Sequence, residues 1–586
     1  MSPKLPHVRA RRPRRSRCSR LALAAALPLL GGGAFACFAV TASAQAYGGR
    51  PIEPGKLLLF TSTYQQANLT PGVTVLPPGC TPASAAASGT PCSAAGYDGT
   101  YPQVFNNDAD DGSFGITSPI LLDELGPFTG RVLSTIPVPT SDLVTSFSSK
   151  SEGAMNLSTN GKVVSFMGYA APSAGIDVSA SNAPGEVDPT NPVTSSYYRT
   201  VATLNAMGQF HFTETNAYTG DNGRAAIVAD SATNPVIFMA GNAGNGNATF
   251  PPPSGTTQFS GVVLGAGAQS ISPSLASEPF QNPGTPTPVG SFDVTQLGDK
   301  QDKIGKDDNF RGMTIYGNVL YYVKGSGSNG VNTVYFVDTT GTACPNGTGL
   351  PAPGAALPTS PLDYSLSAIE AGGQLPSNMC ILQGFPTLIA KSKTGVSYPF
   401  GIWFANPDTI YLADEGSGDN TYSPTTGMYT NATAANNPTA GLQKWVFDAA
   451  TNQWTLAYTL TNGLNLGEPY YVPGYPTGDN PETGLPWAPA TDGLRNITGR
   501  VNANGTATIW AESSTVSGGG DQGADPNKLY MITDQISATS PAPAEAFTAI
   551  YSAHYGEVIR GVSFTPGTPA TNSAASAQQF GKRTAR

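Results

Sequence analysis

The sequence has little charge, few cysteines and almost no histidine. Lys, Arg, Asp and Glu make up 12% of the 586 residues, with only six Cys and three His. It contains no P-loop, no strand–Gly-x-Gly-x-x-Gly–helix unit and no H-E-x-x-H. These absences exclude the nucleotide-binding and zinc-hydrolase classes that such motifs define. By contrast Gly (68) and Pro (51) are abundant, which is typical of a protein built from strands and turns.

Long apolar runs are also scarce, since the chain has only one, from Leu21 to Val40. It follows an arginine-rich start and precedes small residues that fit cleavage after Ala44 or Ala46. We therefore predict that residues 1–46 are a signal peptide, that the protein is secreted or periplasmic, and that no membrane span remains after processing. A retained anchor is the alternative, because a run of this length can span a bilayer.

Basic charge is low once the signal is removed. Residues 47–586 hold 22 Lys and Arg against 39 Asp and Glu, a net charge of −17. Such a surface repels polyanions, so we expect no nucleic-acid partner.

Four cysteines remain, Cys80, Cys92, Cys344 and Cys380, as two locally spaced pairs. In an oxidising compartment this spacing predicts the disulfides 80–92 and 344–380. A metal site is disfavoured because the sequence has no C-x-x-C.

An internal repeat organises the rest of the chain. Six segments resemble one another: Glu152-Gly-Ala-Met, Gly223-Arg-Ala-Ala, Phe310-Arg-Gly-Met, Phe400-Gly-Ile-Trp, Leu494-Arg-Asn-Ile and Ile559-Arg-Gly-Val. Each of the first five is followed by a short turn and a second strand-like run, and where the pattern is clearest two more runs follow. Four antiparallel strands per repeat predict an all-β fold, a β-propeller.

The last repeat has only its first strand, and the N-terminal region offers three more, over 56–61, 118–125 and 131–137. We therefore predict a six-bladed propeller over residues 47–567, closed by N-terminal strands that complete the C-terminal blade. Residues 568–586 are predicted to be a disordered tail. Seven blades is the alternative, and we expect a monomer.

The segments Thr409-Ile-Tyr-Leu-Ala-Asp-Glu-Gly and Gly441-Leu-Gln-Lys-Trp-Val-Phe-Asp carry a resemblance. They look like a blade of exported NHL-type or lactonase-like six-bladed propellers, a likeness that covers most of residues 152–566 as a pattern. The resemblance implies an architecture rather than an activity, because propellers serve binders and enzymes alike.

Most long insertions fall on one face of the predicted disc, the face where the inner strands begin; we call it the entry face. They cover 62–117, 170–196, 241–260, 414–440, 461–492 and 514–526, whereas 340–379 falls on the opposite face. Long loops on one face of a rigid scaffold often carry function, although they can also be neutral decoration.

The starts of the inner strands concentrate charge on that face. Four of them carry an arginine at an equivalent position, and acids lie beside these: Arg224, Arg311, Arg495, Arg560, Asp308 and Glu557. Equivalent positions in a ring converge on its axis, so we expect these residues in a central channel. They either form ion pairs between blades or bind an anionic group such as a uronate, which the guanidinium fork suits.

A calcium ion is a second interpretation of the same region. Lactonase-like propellers place acid and amide residues on inner strands around a catalytic calcium, and that resemblance implies Glu152, Asn222, Asn309 and Asp492 as ligands here. The four arginines depart from that pattern.

Aromatic residues and histidines complete the candidates. Tyr470, Tyr471, Tyr475 and Trp487 are predicted to be exposed, where they would stack on sugar rings or pack the loop against its neighbour. After residue 46 only His211 and His554 remain, which excludes a four-histidine iron site. His554 precedes the last inner strand and is a candidate base.

Two functions follow from these patterns. The first is a non-catalytic propeller that binds a carbohydrate or a protein through its entry face. The second is a secreted hydrolase or lyase acting on a lactone, an ester or an acidic sugar, with calcium or paired carboxylates in the channel.

Overall fold

The structure is a computed structural model, and part of the chain is described. The described residues are 51–63, 75–76, 93–94, 96–97, 105–106, 117–146, 152–174, 178–179, 181–184, 196–230, 235–242, 268–273, 290–292, 309–325, 330–343, 347–358, 379–388, 390, 395–475, 477–480, 483–518 and 525–570. The chain divides between Ser43 and Ala44, and the second unit, Ala44–Arg586, holds all the described residues. No helix among them is long and apolar enough to cross a membrane.

Six antiparallel sheets form the propeller, which confirms the all-β, six-bladed prediction. We number the blades from the sheet that joins the two ends of the chain and give their strands from the axis outwards. Blade 1 is Glu557–Phe564, Leu57–Thr63, Ile120–Leu125 and Val132–Pro137; blade 2 is Asn156–Leu157, Val163–Tyr169, Arg199–Asn205 and Phe210–Thr215; blade 3 is Gly223–Ala229, Val236–Gly241, Ala268–Ile271 and Gly290–Phe292; blade 4 is Phe310–Tyr316, Val319–Lys324, Thr333–Val337 and Met379–Leu382; blade 5 is Pro399–Asn406, Thr409–Asp414, Gly441–Asp448 and Gln453–Leu460; blade 6 is Ala490–Val501, Thr506–Val516, Lys528–Gln535 and Thr548–Ser552.

Short elements lie outside this pattern. Blade 4 has a fifth strand, Thr348–Gly349, parallel to its outer strand. The described parts of the loops hold small ladders and a 3₁₀ turn: Val75–Leu76 with Ser93–Ala94, Gly96–Tyr97 with Phe105–Asn106, Tyr422–Ser423 with Met428–Tyr429, and Thr430–Ala432.

Blade 1 closes the ring as predicted. The C-terminal strand pairs antiparallel with the N-terminal strand, from Leu57 opposite Phe564 to Thr63 opposite Glu557. Beyond the blade, Gly55 N donates to Thr568 Oγ1 at 2.8 Å. The described fold thus continues to Ala570, and residues 571–586 of the predicted tail lie outside the described residues.

Each blade buries its apolar side chains against its neighbours. Ile402 and Phe404 of blade 5 pack in one cluster with Met313 and Ile315 of blade 4. The stacked rings of Tyr316 and Phe404, with centroids 4.4 Å apart, join the same two blades. The core therefore lies between blades, so each blade needs both neighbours.

A β-bulge recurs on the inner strands, and it was not predicted. At this bulge, one inner-strand residue is skipped by the pairing with the second strand in blades 1, 3, 4 and 5, and in blade 6 two residues face one. The bulged residues are Arg560, Arg224, Arg311, Phe400 and, in blade 6, Arg495 with Asn496. Phe400 therefore takes the arginine position of blade 5. This corrects, by one residue, our alignment of the Phe400 segment with the other repeat segments. An extra residue turns its side chain away from the ladder.

Glycine after the bulge lets successive inner strands approach closely. A Cβ on Gly312 would lie 2.2 Å from the carbonyl oxygen of Phe400 in the next blade. A Cβ on Gly561 would lie 2.2 Å from the carbonyl oxygen of Gly153. The Arg-Gly pairs of the repeat thus have two separate roles, since the arginine points away from the ladder and the glycine admits the neighbouring backbone.

Of the four expected disulfide cysteines, Cys380 is described, buried in the outer strand of blade 4. Cys80, Cys92 and Cys344 lie outside the described residues. Both disulfides stay predictions.

Candidate functional site: the arginine ring

The predicted arginines are brought together near the axis. Arg224, Arg495 and Arg560 are at most 5% exposed, and the side chain of Arg311 is 12% exposed. We call these four residues, with the Glu415 carboxylate between two of them, the arginine ring.

Glu415 is the acid that joins blades in this ring. Its Oε2 accepts from Arg495 Nε of blade 6 at 3.1 Å, and its Oε1 lies 3.7 Å from Arg311 Nη2 of blade 4. One carboxylate from blade 5 therefore pairs with a guanidinium from each neighbouring blade. The predicted ion pairs between blades exist, but their acid was not among the predicted residues.

Backbone contacts hold Glu415 at the end of the second strand of blade 5. Its N–H donates to Tyr398 O at 2.9 Å, and its carbonyl accepts from Ser514 Oγ. Gly416 has φ +82°, and a Cβ there would lie 2.4 Å from the Asp492 carboxylate. This fixed turn places the carboxylate beside the arginines.

Arg224 makes a different contact. Its Nη1 donates to Asn309 Oδ1 and, at 3.1 Å, to the carbonyl oxygen of Phe310. It therefore joins blade 3 to blade 4 through neutral acceptors.

Like charges crowd the ring. Burial, with smaller effects of Arg224 and Arg495, lowers the pKa of Arg311 to about 9, while Glu415 opposes them. Burial also lowers the pKa of Arg224, against the nearby Asp221 carboxylate. Arg311 thus lies close to two other guanidinium groups, with Glu415 and Asp221 as its nearby acids, and an additional anion at Arg311 would relieve this repulsion.

The residues proposed for calcium are not gathered into one set of free oxygen ligands. Glu152 Oε1 accepts from Tyr169 OH at 2.6 Å and from Asn222 Nδ2 at 3.2 Å, and its Oε2 accepts from Ser146 N at 3.1 Å. Because donors already surround both oxygens, this arrangement does not fit a cation.

The other two proposed ligands are also engaged. Asn309 Oδ1 accepts from Arg224, and Asp492 Oδ2 accepts from Gly418 N at 2.7 Å. Among the described residues no group of three or more His, Cys, Asp or Glu is placed to hold a metal ion. The calcium site stays a prediction.

Glu557 and His554 form a separate pair. His554 Nδ1 lies 2.9 Å from Glu557 Oε2, and the histidine side chain is 73% exposed. Glu557 contacts this histidine and, at 3.5 Å, Tyr551 OH. Asp308 lies outside the described residues, and a base role for His554 stays a prediction.

The aromatic loop is mostly buried, which corrects the prediction that it is exposed. Trp487 and Tyr475 are each 6% exposed and pack together, with Tyr475 OH donating to Asp525 Oδ1 at 2.6 Å. Tyr470 OH donates to Pro526 O at 2.7 Å. Only Tyr471 of the four is exposed, at 76%, because the other three rings pack within the loop and against its neighbours.

A cavity of about 250 Å³ lies on the axis, nearer the other ends of the inner strands. Each blade contributes to its wall, and four contribute an isoleucine: Ile227, Ile315, Ile402 and Ile497. Thr568, Pro569 and Ala570 also line it. The channel therefore has a charged part near the entry face and a largely apolar part beyond it.

Comparison with known proteins adds little to this geometry. No family model and no curated protein sequence is similar to the chain. A periplasmic gluconolactonase from Pseudomonas aeruginosa is 10% identical, with a TM-score of 0.34 over 77% of this chain and 99% of its own. A PL25 ulvan lyase, with an acidic disaccharide bound, is 11% identical, with a TM-score of 0.27 over 81% of this chain and 92% of its own.

Likenesses this distant do not bear on activity. The six-bladed architecture that the lactonase-like resemblance implied rests on the sheets described above. The function has to be argued from the site itself.

Proposed function

We propose that this protein is an exported, non-catalytic β-propeller that binds the carboxylate of an acidic carbohydrate at its arginine ring. The observation that carries the proposal is the convergence of Arg311 and Arg495 on the Glu415 carboxylate, with Arg224 close enough to lower the pKa of Arg311. Guanidinium groups bind carboxylates through two parallel hydrogen bonds, and they remain charged at neutral pH.

Arg311 and Glu415 are the members of the ring that a ligand would meet first. The side chains of Arg311 and Glu415 are 12% and 11% exposed, more than those of the other ring arginines. A ligand carboxylate approaching Arg311 can share the guanidinium that Glu415 holds at 3.7 Å, a longer distance than its contact with Arg495. Arg311 is therefore the residue to test first.

Two exposed aromatic rings on the entry face support a carbohydrate as the body of the ligand. Tyr471 is 76% exposed in the segment between blades 5 and 6, and Tyr555 is 52% exposed between blades 6 and 1. These two segments touch, because a Cβ on Gly474 would lie 3.5 Å from Tyr555. Exposed flat rings of this kind provide stacking surfaces for sugars.

The enzymatic alternative, a hydrolase or lyase acting on an acidic sugar, is favoured by one observation. Burial raises the pKa of Glu512, near Arg495 and Arg560, to about 8. A carboxyl group that is protonated at neutral pH can serve as a general acid. Product formation by mass spectrometry after incubation with uronate oligosaccharides distinguishes this alternative from binding alone.

Isothermal titration with D-glucuronate, and with D-glucose as the neutral match, tests the proposal. We expect D-glucuronate to bind and D-glucose to bind at least about tenfold more weakly, because only the former offers a carboxylate. Arg311→Gln should weaken D-glucuronate binding by about tenfold or more. The control is Arg131→Gln, an exposed arginine at the start of the outer strand of blade 1.

Equal affinities for the two sugars would overturn the proposal. Equal losses in Arg311→Gln and Arg131→Gln would do so as well, since the effect would then be one of net charge.

A further inference from the structure

Blade 6 breaks a rule that other blades obey. In blades 1, 3, 4 and 5 the second-strand residue that pairs with the residue next to the arginine position is apolar and fully buried: Phe60, Ala240, Val323 and Ala413. In blade 6 the residue facing the bulge is Glu512, which is 1% exposed. A carboxyl group at a core position lowers stability, so its presence there points to a role.

The residue across the bulge also differs. In blades 1, 4 and 5 the residue that follows the arginine position is Gly561, Gly312 or Gly401, but in blade 6 it is Asn496, which is itself a bulged residue. Asn496 Oδ1 accepts from Val562 N at 2.7 Å. Blade 6 thus replaces a small residue and an apolar residue with an amide and a carboxyl group.

The carboxyl group of Glu512 makes few hydrogen bonds within the described part of the protein. Its Oε1 accepts one long hydrogen bond, from Asn496 N at 3.5 Å. Its Oε2 is buried and has no hydrogen-bond partner among the described residues. Most buried carboxyl oxygens in folded proteins accept a hydrogen bond, so this atom is suited to a ligand.

The charged groups that act on Glu512 come from two inner strands. Arg495 is in blade 6 and Arg560 in blade 1, and both lower the pKa of Glu512, while burial has the larger effect and raises it to about 8. At neutral pH the group is mostly a neutral acid with one O–H to donate.

We propose that Glu512, in its protonated form, is a ligand-binding residue of the arginine ring and donates a hydrogen bond to a bound carboxylate. This inference rests on the proposed function. It adds Glu512 to the binding residues and couples ligand binding to the protonation of Glu512. The arginines compensate the charge of the ligand, and the Glu512 O–H pairs with one of its oxygens. An ionised Glu512 would repel the same ligand. At a pH where Glu512 is ionised in the free protein, binding of the ligand carboxylate is therefore coupled to the uptake of one proton by Glu512.

The test is titration calorimetry with D-glucuronate between about pH 6 and about pH 8.5, in two buffers of different ionisation enthalpy. We expect constant affinity at the acid end and a fall that approaches about tenfold per pH unit above the pKa of Glu512. Proton uptake should appear in the same range. The series stops short of about pH 9, where Arg311, with its pKa lowered to about 9, would be half deprotonated, and the comparison with Glu512→Gln separates the two groups.

Glu512→Gln is the matched variant, because its amide can still donate but cannot titrate. We expect it to bind D-glucuronate with an affinity that changes little with pH and with no proton uptake at this site. Wild-type binding without proton uptake near pH 8.5, or an unchanged pH profile in Glu512→Gln, would overturn the inference while leaving the proposed function intact. No D-glucuronate binding by the wild type at any pH would instead overturn the proposed function. Should the variant fail to fold, the buffer comparison on the wild type alone decides.

Discussion

Glu415 and Arg495 join blades 5 and 6 through a hydrogen bond of 3.1 Å, and the second oxygen of the same carboxylate faces Arg311. This shared acid predicts the effect of Glu415→Gln. Two buried guanidinium groups would lose their counter-charge, so we expect the free energy of unfolding to fall by about 3–5 kcal/mol. Urea unfolding at neutral pH measures it.

The matched control for Glu415 is Glu53→Gln, because Glu53 is exposed and its pair with Lys56 lies at the surface. That change should cost about 1 kcal/mol or less. Added D-glucuronate should raise the melting temperature of Glu415→Gln more than that of the wild type. Equal costs of the two substitutions would show that Glu415 is an ordinary surface acid.

The close approach of inner strands predicts the effect of Gly561→Ala. The added Cβ would lie 2.2 Å from the carbonyl oxygen of Gly153, and neither backbone can move without disturbing the ring closure. We expect a loss of stability above about 3 kcal/mol, or failure to fold. Ala225→Gly is the control, since blade 3 already carries a Cβ at the equivalent position and should lose only about 1 kcal/mol. Similar losses in the two variants would contradict this account.

Buried carboxyl groups predict how stability depends on pH. Burial raises the pKa of Glu512 to about 8 and those of Asp221 and Asp414 to about 6. Because the folded state keeps protons that the unfolded chain releases, stability should fall as pH rises from about 4.5 to about 8, by at most about 1.4 kcal/mol per pH unit for each group.

Glu512→Gln should flatten this decline above about pH 7, where Asp221 and Asp414 have already ionised in the folded state. Urea unfolding of both proteins at three pH values measures the two slopes. An identical decline in the variant would mean that Glu512 is ionised in the folded protein at neutral pH.

Calcium should have little effect on stability. The oxygens of Glu152 already accept hydrogen bonds from Tyr169, Asn222 and Ser146. We therefore expect the melting temperature to be the same, in calorimetry, with a chelator and with added calcium. A fall with the chelator that calcium reverses and magnesium does not would restore the calcium site and the enzymatic alternative with it.

The repeat in the sequence was sufficient to predict the blades and their closure. The second strands and the four arginine positions could be predicted because they depend on local patterns, namely short turns and an Arg at the same place in each repeat. The pairing of the N-terminal strand with the C-terminal strand followed because a ring leaves no other partner for an odd strand.

The acids of the site were harder to predict. We looked for them where inner strands begin, but Glu415 directly follows the second strand of blade 5, and Glu512 lies within the second strand of blade 6. Antiparallel pairing brings these residues opposite the first part of an inner strand, so the second strands should have been searched as well. The bulges and the burial of Tyr475 and Trp487 depend on contacts between distant segments, which no local pattern records.

The claim on which the account depends is that the arginine ring receives a ligand carboxylate. A crystal structure of the protein soaked with D-glucuronate tests it most directly. We predict the carboxylate within hydrogen-bond distance of Arg311 or Arg495, with one of its oxygens near Glu512. Glucuronate bound elsewhere on the propeller, with the ring and its Glu415 contacts unchanged, would contradict it.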